Sequence, residues 1–142
     1  MIVVDTNVIT YFVLQQARTE QARSLYQLDG DWRVPPLWRY EFLNVLANFS
    51  RHAGEPSDLL ESAWRNAVNL LGDKETQPDM IRALQLASRH DISAYDAQYV
   101  ALANELGVPL VTEDKRLRRQ RPDFVLSIEE YQSSYNQKNE QH

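Results

Sequence analysis

The chain has 142 residues, a formal net charge of −5 and no cysteine. This length fits one domain with a hydrophobic core, and the lack of cysteine excludes disulfides and thiolate metal sites. No apolar stretch approaches the roughly 20 residues of a membrane span, and the acidic balance excludes a surface coated in nucleic-acid-binding charge.

Short apolar runs alternate with amphipathic stretches along the chain. In chain order the predicted elements are a strand at 2–4, helices at 6–14 and 18–28, a strand at 32–34, helices at 37–52 and 57–71, an edge strand at 73–77, helices at 78–89 and 93–107, a strand at 109–112, a short helix at 115–119 and a strand at 124–126. Interleaved strands and helices predict an α/β fold whose parallel sheet is covered on both faces. We expect one domain over residues 1–135 and a polar, frayed tail at 136–142.

Two acids lie at or just beyond the carboxyl ends of predicted strands. Asp5 comes immediately after "IVV", and Asp114 follows the strand "PLVT" by two residues. In a parallel α/β sheet, sites lie outside the carboxyl ends of the strands. Both carboxylates should therefore open on the same edge of the sheet.

Two further acids lie on predicted helices near their buried faces. Glu41 falls about 40° around its helix from Val45, on the flank of an apolar stripe. Asp96 precedes Val100 by four residues and Ala103 by seven, which places it on the inward stripe itself. Because an unpaired buried carboxylate is costly, the position of Asp96 calls for a compensating partner or ligand.

Each acid taken alone has a structural alternative. Asp5 and Asp114 could simply cap the helices that follow them. Glu41 could extend to solvent or pair with Arg39 or Arg65, and Asp96 could form a buried ion pair with an arginine. Four carboxylates around one pocket would repel each other strongly, however, and a bound divalent cation relieves that repulsion. Oxygen ligands without cysteine favour Mg²⁺ or Mn²⁺.

The segments that carry these acids, "IVVDTNV", "YEFLNVL", "AYDAQYVALA" and "PLVTEDKRL", resemble in their order and spacing the PIN-domain nucleases, and most closely the bacterial VapC-type toxins. The resemblance implies a three-layer α/β/α sandwich with a short parallel sheet in the order 3-2-1-4-5. The residues it implies as catalytic metal ligands are Asp5, Glu41, Asp96 and Asp114, and those implied to support them are Thr6, Asn7 and Thr112.

The same resemblance implies an activity and partners. The activity is the metal-dependent hydrolysis of RNA phosphodiester bonds by an endoribonuclease that leaves a 5′-phosphate and a 3′-hydroxyl. The implied partners are a small antitoxin protein and a second copy of the chain in a homodimer. The opening carries no basic leader, so we expect no signal peptide and a cytoplasmic location.

A basic run lies next to the fourth acid. "KRLRRQR" places Lys115, Arg116, Arg118, Arg119 and Arg121 beside Asp114 in an otherwise acidic chain. Such a run is often only a solvated helix face. Beside a proposed nuclease site, it is a candidate for contacts with RNA phosphates.

Two other functions remain open from the sequence. The chain could be a phosphohydrolase that uses Asp5 as its nucleophile, although Asn7 occupies the place where such enzymes normally carry a second aspartate. It could also be a non-catalytic protein that only binds RNA or a partner. A phosphatase assay separates the first from a nuclease, and a metal titration separates the second.

Overall fold

The centre of the fold is a parallel sheet of very short strands. In the computed structural model, which describes residues 1–14, 17–121 and 123–141, this sheet has four strands. They are β1 (Ile2–Val4), β2 (Trp32–Arg33), β3 (Leu110–Val111) and β4 (Val125–Leu126). Their order is β2-β1-β3-β4, and each neighbouring pair is parallel. The carboxyl ends of β1 and β3 therefore lie side by side.

Helices account for most of the rest of the described chain. They are α1 (Thr6–Val13), α2 (Thr19–Leu28), α3 (Trp38–Asn48), α4 (Ser57–Leu71), α5 (Met80–His90), α6 (Ala94–Leu106), α7 (Lys115–Gln120) and α8 (Ile128–Glu140). A π-helical turn, Phe49–Ala53, continues α3 and ends at Gly54, where φ is 64°. That left-handed conformation suits glycine, in agreement with the predicted stop.

The two faces of the sheet carry separate hydrophobic layers. In β1, Ile2 and Val4 pack into a layer with residues of α1, α2, α3, α4 and α8. Val3, between them, packs into the opposite layer with α5, α6 and α7. This division follows from the alternation of side chains along a strand. The predicted α/β/α sandwich with a central parallel sheet is confirmed.

The fifth strand, expected at residues 73–77, is reduced to one parallel bridge. Val34 pairs with Glu75 at that edge, and the order agrees with 3-2-1-4-5 if the bridge is counted as a strand. The ladder cannot continue because Pro35 and Pro36 follow Val34, and proline has no N–H to donate. Side chains fasten the segment instead, since Glu75 accepts hydrogen bonds from Trp38 and from Arg39.

The helix α8 is absent from the sequence-based prediction. Its signal is the capping box that begins it: the Ser127 hydroxyl accepts from the N–H of Glu130 at 3.0 Å, and the Glu130 carboxylate accepts from the N–H of Ser127 at 3.1 Å. Residues 136–140 of the expected tail continue α8, with their side chains exposed. Residue 142 of that tail lies outside the described residues. Among the described helices, none combines the length and apolar character that crossing a membrane would need.

Candidate active site

The four acids singled out from the sequence meet at the carboxyl edge of the sheet. Asp5 follows β1, and its N–H donates to the carbonyl of Val111 at the end of β3, at 3.1 Å. Asp114 lies three residues beyond Val111, where α7 begins. Glu41 comes in on α3, and Asp96 on the first turn of α6. The charges of these acids act on one another, as the pKa values below record.

Asp5 is held by hydrogen bonds on both of its oxygens. Oδ1 accepts from the N–H of Thr6, and Oδ2 accepts from the hydroxyl of Thr112, each at 2.8 Å. The Thr112 hydroxyl also accepts from Nδ2 of Asn7 at 3.0 Å and from the N–H of Asp114 at 3.1 Å. One hydroxyl thus uses its proton and both lone pairs. Thr112 thereby links the acid after β1 to the acid after β3.

The other end of the Asn7 side-chain amide also contacts the loop after β3. Its Oδ1 accepts from the N–H of Glu113 at 3.2 Å. The Glu113 carboxylate is turned away from the four acids, since it accepts from Arg18 at 2.8 Å and from the N–H of Ile128 at 2.9 Å. Glu113 is therefore not a member of the acidic group.

Glu41 is in contact with two hydroxyl groups. Its Oε1 accepts from Tyr99 at 2.7 Å and lies 3.1 Å from the hydroxyl of Thr6. The sequence analysis did not identify Tyr99. Its signal was the spacing, because Tyr99 follows Asp96 by three residues on α6 and so lies on nearly the same face. Burial raises the pKa of Tyr99 well above its usual value, with the charges of Asp5 and Glu41 adding to the effect, so its hydroxyl keeps its proton.

Asp96 is half-buried at the mouth of the site. The Ser93 hydroxyl caps α6 by accepting from the N–H of Asp96 at 3.0 Å. Burial raises the pKa of Asp96, and the charges of Asp114 and Glu41 raise it further. Asp96 lies at the edge of the predicted buried stripe of α6. It lines an open pocket of about 320 Å³ together with Asp114, Arg116 and residues 91–93.

Burial raises the pKa of Asp5 to about 7, from an ordinary value of 3.8. The side chain is only 8% exposed, so ionisation removes charge from water. Hydrogen bonds from Thr112 and Thr6 oppose the increase, while the charges of Asp96 and Glu41 add to it. The carboxylate is therefore costly to ionise in the folded chain unless a positive charge joins it.

The structural alternatives for the acids have mixed outcomes. Asp5 does cap α1, and Asp114 caps α7 by accepting from the N–H groups of Arg116 and Leu117 at 3.0 and 3.2 Å. The Asp114 cap uses only Oδ1. Arg39 pairs with Glu75 instead of Glu41. Among the described residues, none of the four acids forms an ion pair.

The donor set fits a hard divalent cation in kind, since every candidate ligand atom is a carboxylate oxygen. The Arg116 side chain lines the same pocket and opposes the rise in the pKa of Asp96, but it forms its ion pair with Asp91. As the side chains stand, no three Asp, Glu or His residues of the described chain form a ready metal-binding group. Instead, Asp5, Glu41 and Asp114 accept hydrogen bonds from N–H and hydroxyl groups of the chain. Oδ2 of Asp114 and Oε2 of Glu41 have no protein donor among the described residues.

The five cations of the basic run have different surroundings. Arg118 pairs with Glu130 at 3.1 Å, and only 20% of its side chain is exposed. Arg121 lies over the ring of Phe124, 4.7 Å from its centroid, and contacts His90. Arg116 pairs with Asp91 at 3.5 Å but stays exposed, and Lys115 and Arg119 are exposed without an ion pair in the described chain. The cations available to a ligand are thus Lys115, Arg116 and Arg119.

Comparison with known proteins gives a family and a fold. The PIN domain family model matches residues 2–121. The chain is 32% identical over 130 residues to Ribonuclease VapC3 from Pyrobaculum aerophilum, covering 87% of this chain and 97% of that relative. Crystal structures of PAE2754 from Pyrobaculum aerophilum and of FitAcB from Neisseria gonorrhoeae superpose with TM-scores of 0.73 and 0.66 at 19% and 18% identity. The first match covers 95% of this chain and 88% of the other, and the second 90% and 98%. At these identities the two structures support the fold alone.

The raised pKa of Asp5 predicts a pH dependence of stability without metal. Between about pH 4 and pH 7 the folded chain holds a proton that the unfolded chain has released, so the free energy of unfolding falls as pH rises through this range. For Asp5 the loss is on the order of 4 kcal/mol. Urea unfolding in a chelator between about pH 5 and pH 8 should show a weaker pH dependence in Asp5→Asn than in wild type.

The exposed Asp58 provides a matched control, because Asp58→Asn removes the same charge from the first turn of α4. Its pH dependence should follow wild type. Parallel curves for wild type and Asp5→Asn would show that Asp5 ionises normally in the folded chain.

Proposed function

The chain belongs to the PIN domain family, and from that premise we propose that it is a metal-dependent endoribonuclease that hydrolyses RNA phosphodiester bonds. Its proposed context is a type II toxin–antitoxin pair, in which it is the toxin. A relative that covers most of the chain is named a ribonuclease, which supports the RNA substrate. The resemblance of the motifs to VapC-type toxins supports the toxin role.

The observation that carries the proposal is a group of four acids, none of which forms an ion pair with a cation of the described chain. Asp5, Glu41, Asp96 and Asp114 gather at the carboxyl edge of the sheet, and the charges of neighbouring acids help to raise the pKa values of Asp5 and Asp96. We propose that these four residues hold Mg²⁺ or Mn²⁺. Such an ion lowers the pKa of water and neutralises phosphate charge.

The residues of the chain have distinct proposed roles in the reaction. Asp5, fixed by Thr112 and Thr6, is a rigid anchor at the centre of the site. Asp96 and Asp114 both line the open pocket, and we propose that one of these two carboxylates takes the proton of the attacking water. In the same pocket, Oδ2 of Asp114 is not used by the helix cap.

The phosphohydrolase alternative is disfavoured by the residue two positions after Asp5, because Asn7 stands where such enzymes normally carry a second aspartate. Asp5 is also only 8% exposed, which leaves little room for a phosphate group at its oxygens. The presence of all four acids disfavours the non-catalytic alternative, and the cleavage assay below tests it.

The partners of the chain follow from the same proposal. The substrate is RNA, whose phosphates would meet Lys115, Arg116 and Arg119 at the rim of the site. We further propose a small antitoxin protein as the inhibitor, a homodimer as the active assembly, and the cytoplasm as the place of action.

Changing Asp96 tests the metal-dependent reaction. Asp96→Asn should lower RNA cleavage by more than the roughly 100-fold that losing a supporting partner of a metal ligand can cost. Mn²⁺ at ~100 times its dissociation constant should stabilise wild type by roughly 2.7 kcal/mol, and the variant much less. Cleavage assays and thermal melts with and without Mn²⁺ measure both effects.

Asp58 is the matched control for that experiment, because it is exposed on the first turn of α4 and does not line the pocket. Asp58→Asn should keep both cleavage and the response to Mn²⁺. Full cleavage by Asp96→Asn, or an equal gain in melting temperature for Asp96→Asn and wild type, would contradict the assignment.

The exposed cations of the basic run predict the salt dependence of RNA binding. Lys115→Ala combined with Arg119→Ala should weaken binding of single-stranded RNA and reduce the slope of log K against log salt by roughly 1.4, because two fewer phosphates are neutralised. Binding isotherms in Ca²⁺, at several salt concentrations, measure the slope. The control pair, Arg23→Ala with Lys138→Ala, removes two exposed charges elsewhere and should leave the slope unchanged. Equal slopes for all three proteins would mean that the run is only a solvated face.

Expression in cells tests the toxin role. Wild type should arrest growth when produced alone, and Asp96→Asn should not, because the arrest depends on RNA cleavage. Co-expression of a small open reading frame adjacent in the source genome should relieve the arrest. Growth curves of cells that produce wild type alone, Asp96→Asn alone, or wild type with the adjacent reading frame measure these effects. Normal growth in the native host, with the partner deleted and nuclease activity demonstrated, would make the chain a housekeeping nuclease.

A further inference from the structure

Tyr99 is a buried polar residue to which the proposed reaction assigns no role. Its side chain is 0% exposed, yet its hydroxyl lies 2.7 Å from Oε1 of Glu41 and 2.8 Å from the hydroxyl of Thr6. Thr6 is in turn 3.1 Å from the same Glu41 oxygen. A phenylalanine would fill the apolar part of this space equally well, so the hydroxyl is the feature that requires an explanation.

The distances, together with a count of protons, assign the bond that the tyrosine makes. A glutamate carboxylate only accepts, while each hydroxyl has one proton to donate, so two protons serve three contacts. The contact between Tyr99 and Glu41 is the shortest of the three, and we assign the Tyr99 proton to it. The Thr6 proton is then left for either Tyr99 or Glu41.

This bond determines which oxygen of Glu41 remains available. Oε1 is held by Tyr99, whereas Oε2 has no protein donor among the described residues. Tyr99 is on α6 and Glu41 on α3, so the bond also ties together the two helices that bring acids to the site. Groups that orient a metal-binding side chain in this way raise metal affinity.

We infer that Tyr99 is a positioning residue that fixes the Glu41 carboxylate through Oε1 and leaves Oε2 available to a cation at the acidic site. This inference rests on the proposed function. Tyr99 itself touches neither cation nor RNA, and it acts through Glu41 alone.

The test is Tyr99→Phe, measured by calorimetric titration with Mn²⁺ and by steady-state cleavage of RNA. The dissociation constant for Mn²⁺ should rise roughly tenfold or more, as when supporting partners of metal ligands are lost. The KM for RNA at saturating Mn²⁺ should not change. Thr6→Val, which removes the second hydroxyl, should weaken Mn²⁺ binding as well, and it provides an independent test if Tyr99→Phe does not fold.

Tyr131 offers a matched control within the same chain. Its hydroxyl donates to Oδ2 of Asp29 at 2.8 Å, the same kind of bond at another part of the fold. Tyr131→Phe should lower the melting temperature but leave Mn²⁺ affinity at the wild-type value. A purely structural role for Tyr99 would give the same result in Tyr99→Phe.

The outcomes separate this inference from the proposed function. If wild type binds Mn²⁺ and Tyr99→Phe binds it equally well, the positioning role is wrong and the nuclease proposal stands. If wild type binds no Mn²⁺, the proposed function fails and the positioning role fails with it.

Discussion

Carboxylates at one edge of a small parallel sheet are costly to ionise, and this cost is the main physical constraint on the candidate site. Burial is its largest source for Asp5 and Asp96, and the charges of neighbouring acids add to it. Asp5 follows β1 and is almost fully buried, and Asp114 follows the neighbouring β3. Burial and mutual charge raise the pKa of Asp5 to about 7. Without metal, the ionisation of Asp5 lowers the stability of the fold as pH rises towards neutral. Strongly perturbed pKa values of this kind cluster at functional sites.

Hydroxyl and amide groups, rather than cations, hold these acids in place. Thr112 bonds Asp5 and is itself bonded by Asn7, while Thr6 and Tyr99 contact Glu41. Neutral donors fix a carboxylate without cancelling its charge. The arginines near the site instead pair with other acids, namely Arg39 with Glu75, Arg18 with Glu113 and Arg118 with Glu130. The negative charge at the centre therefore remains available to a cation.

The candidate site is acidic, whereas the exposed surface of α7 beside it is basic. Asp114 caps α7, and the exposed Lys115 and Arg119 belong to the same helix. A polyanion attracted to these cations would be brought to the edge of the acidic site. The proposed cation would then offset the repulsion between phosphate and carboxylates. Binding and hydrolysis of RNA would in this way draw on adjacent residues of one helix.

The sequence by itself determined the layers of the fold and the four acids, because both depend on local patterns. Strand alternation in residues 2–4, helical spacing and acids at strand ends can all be recognised within a few residues. The helical pattern after residue 126 is weak, and α8 was not predicted although a capping box at Ser127 begins it. The sequence pattern also did not show that Pro35 and Pro36 limit the edge strand to one bridge. Only the tertiary structure decided the partners. The hydroxyls of Thr6 and Tyr99 meet across 93 residues of sequence, and Thr112 reaches Asp5 across 107. No local pattern encodes such a contact, because a hydroxyl's proton goes to whichever acceptor the packing of distant helices brings within reach.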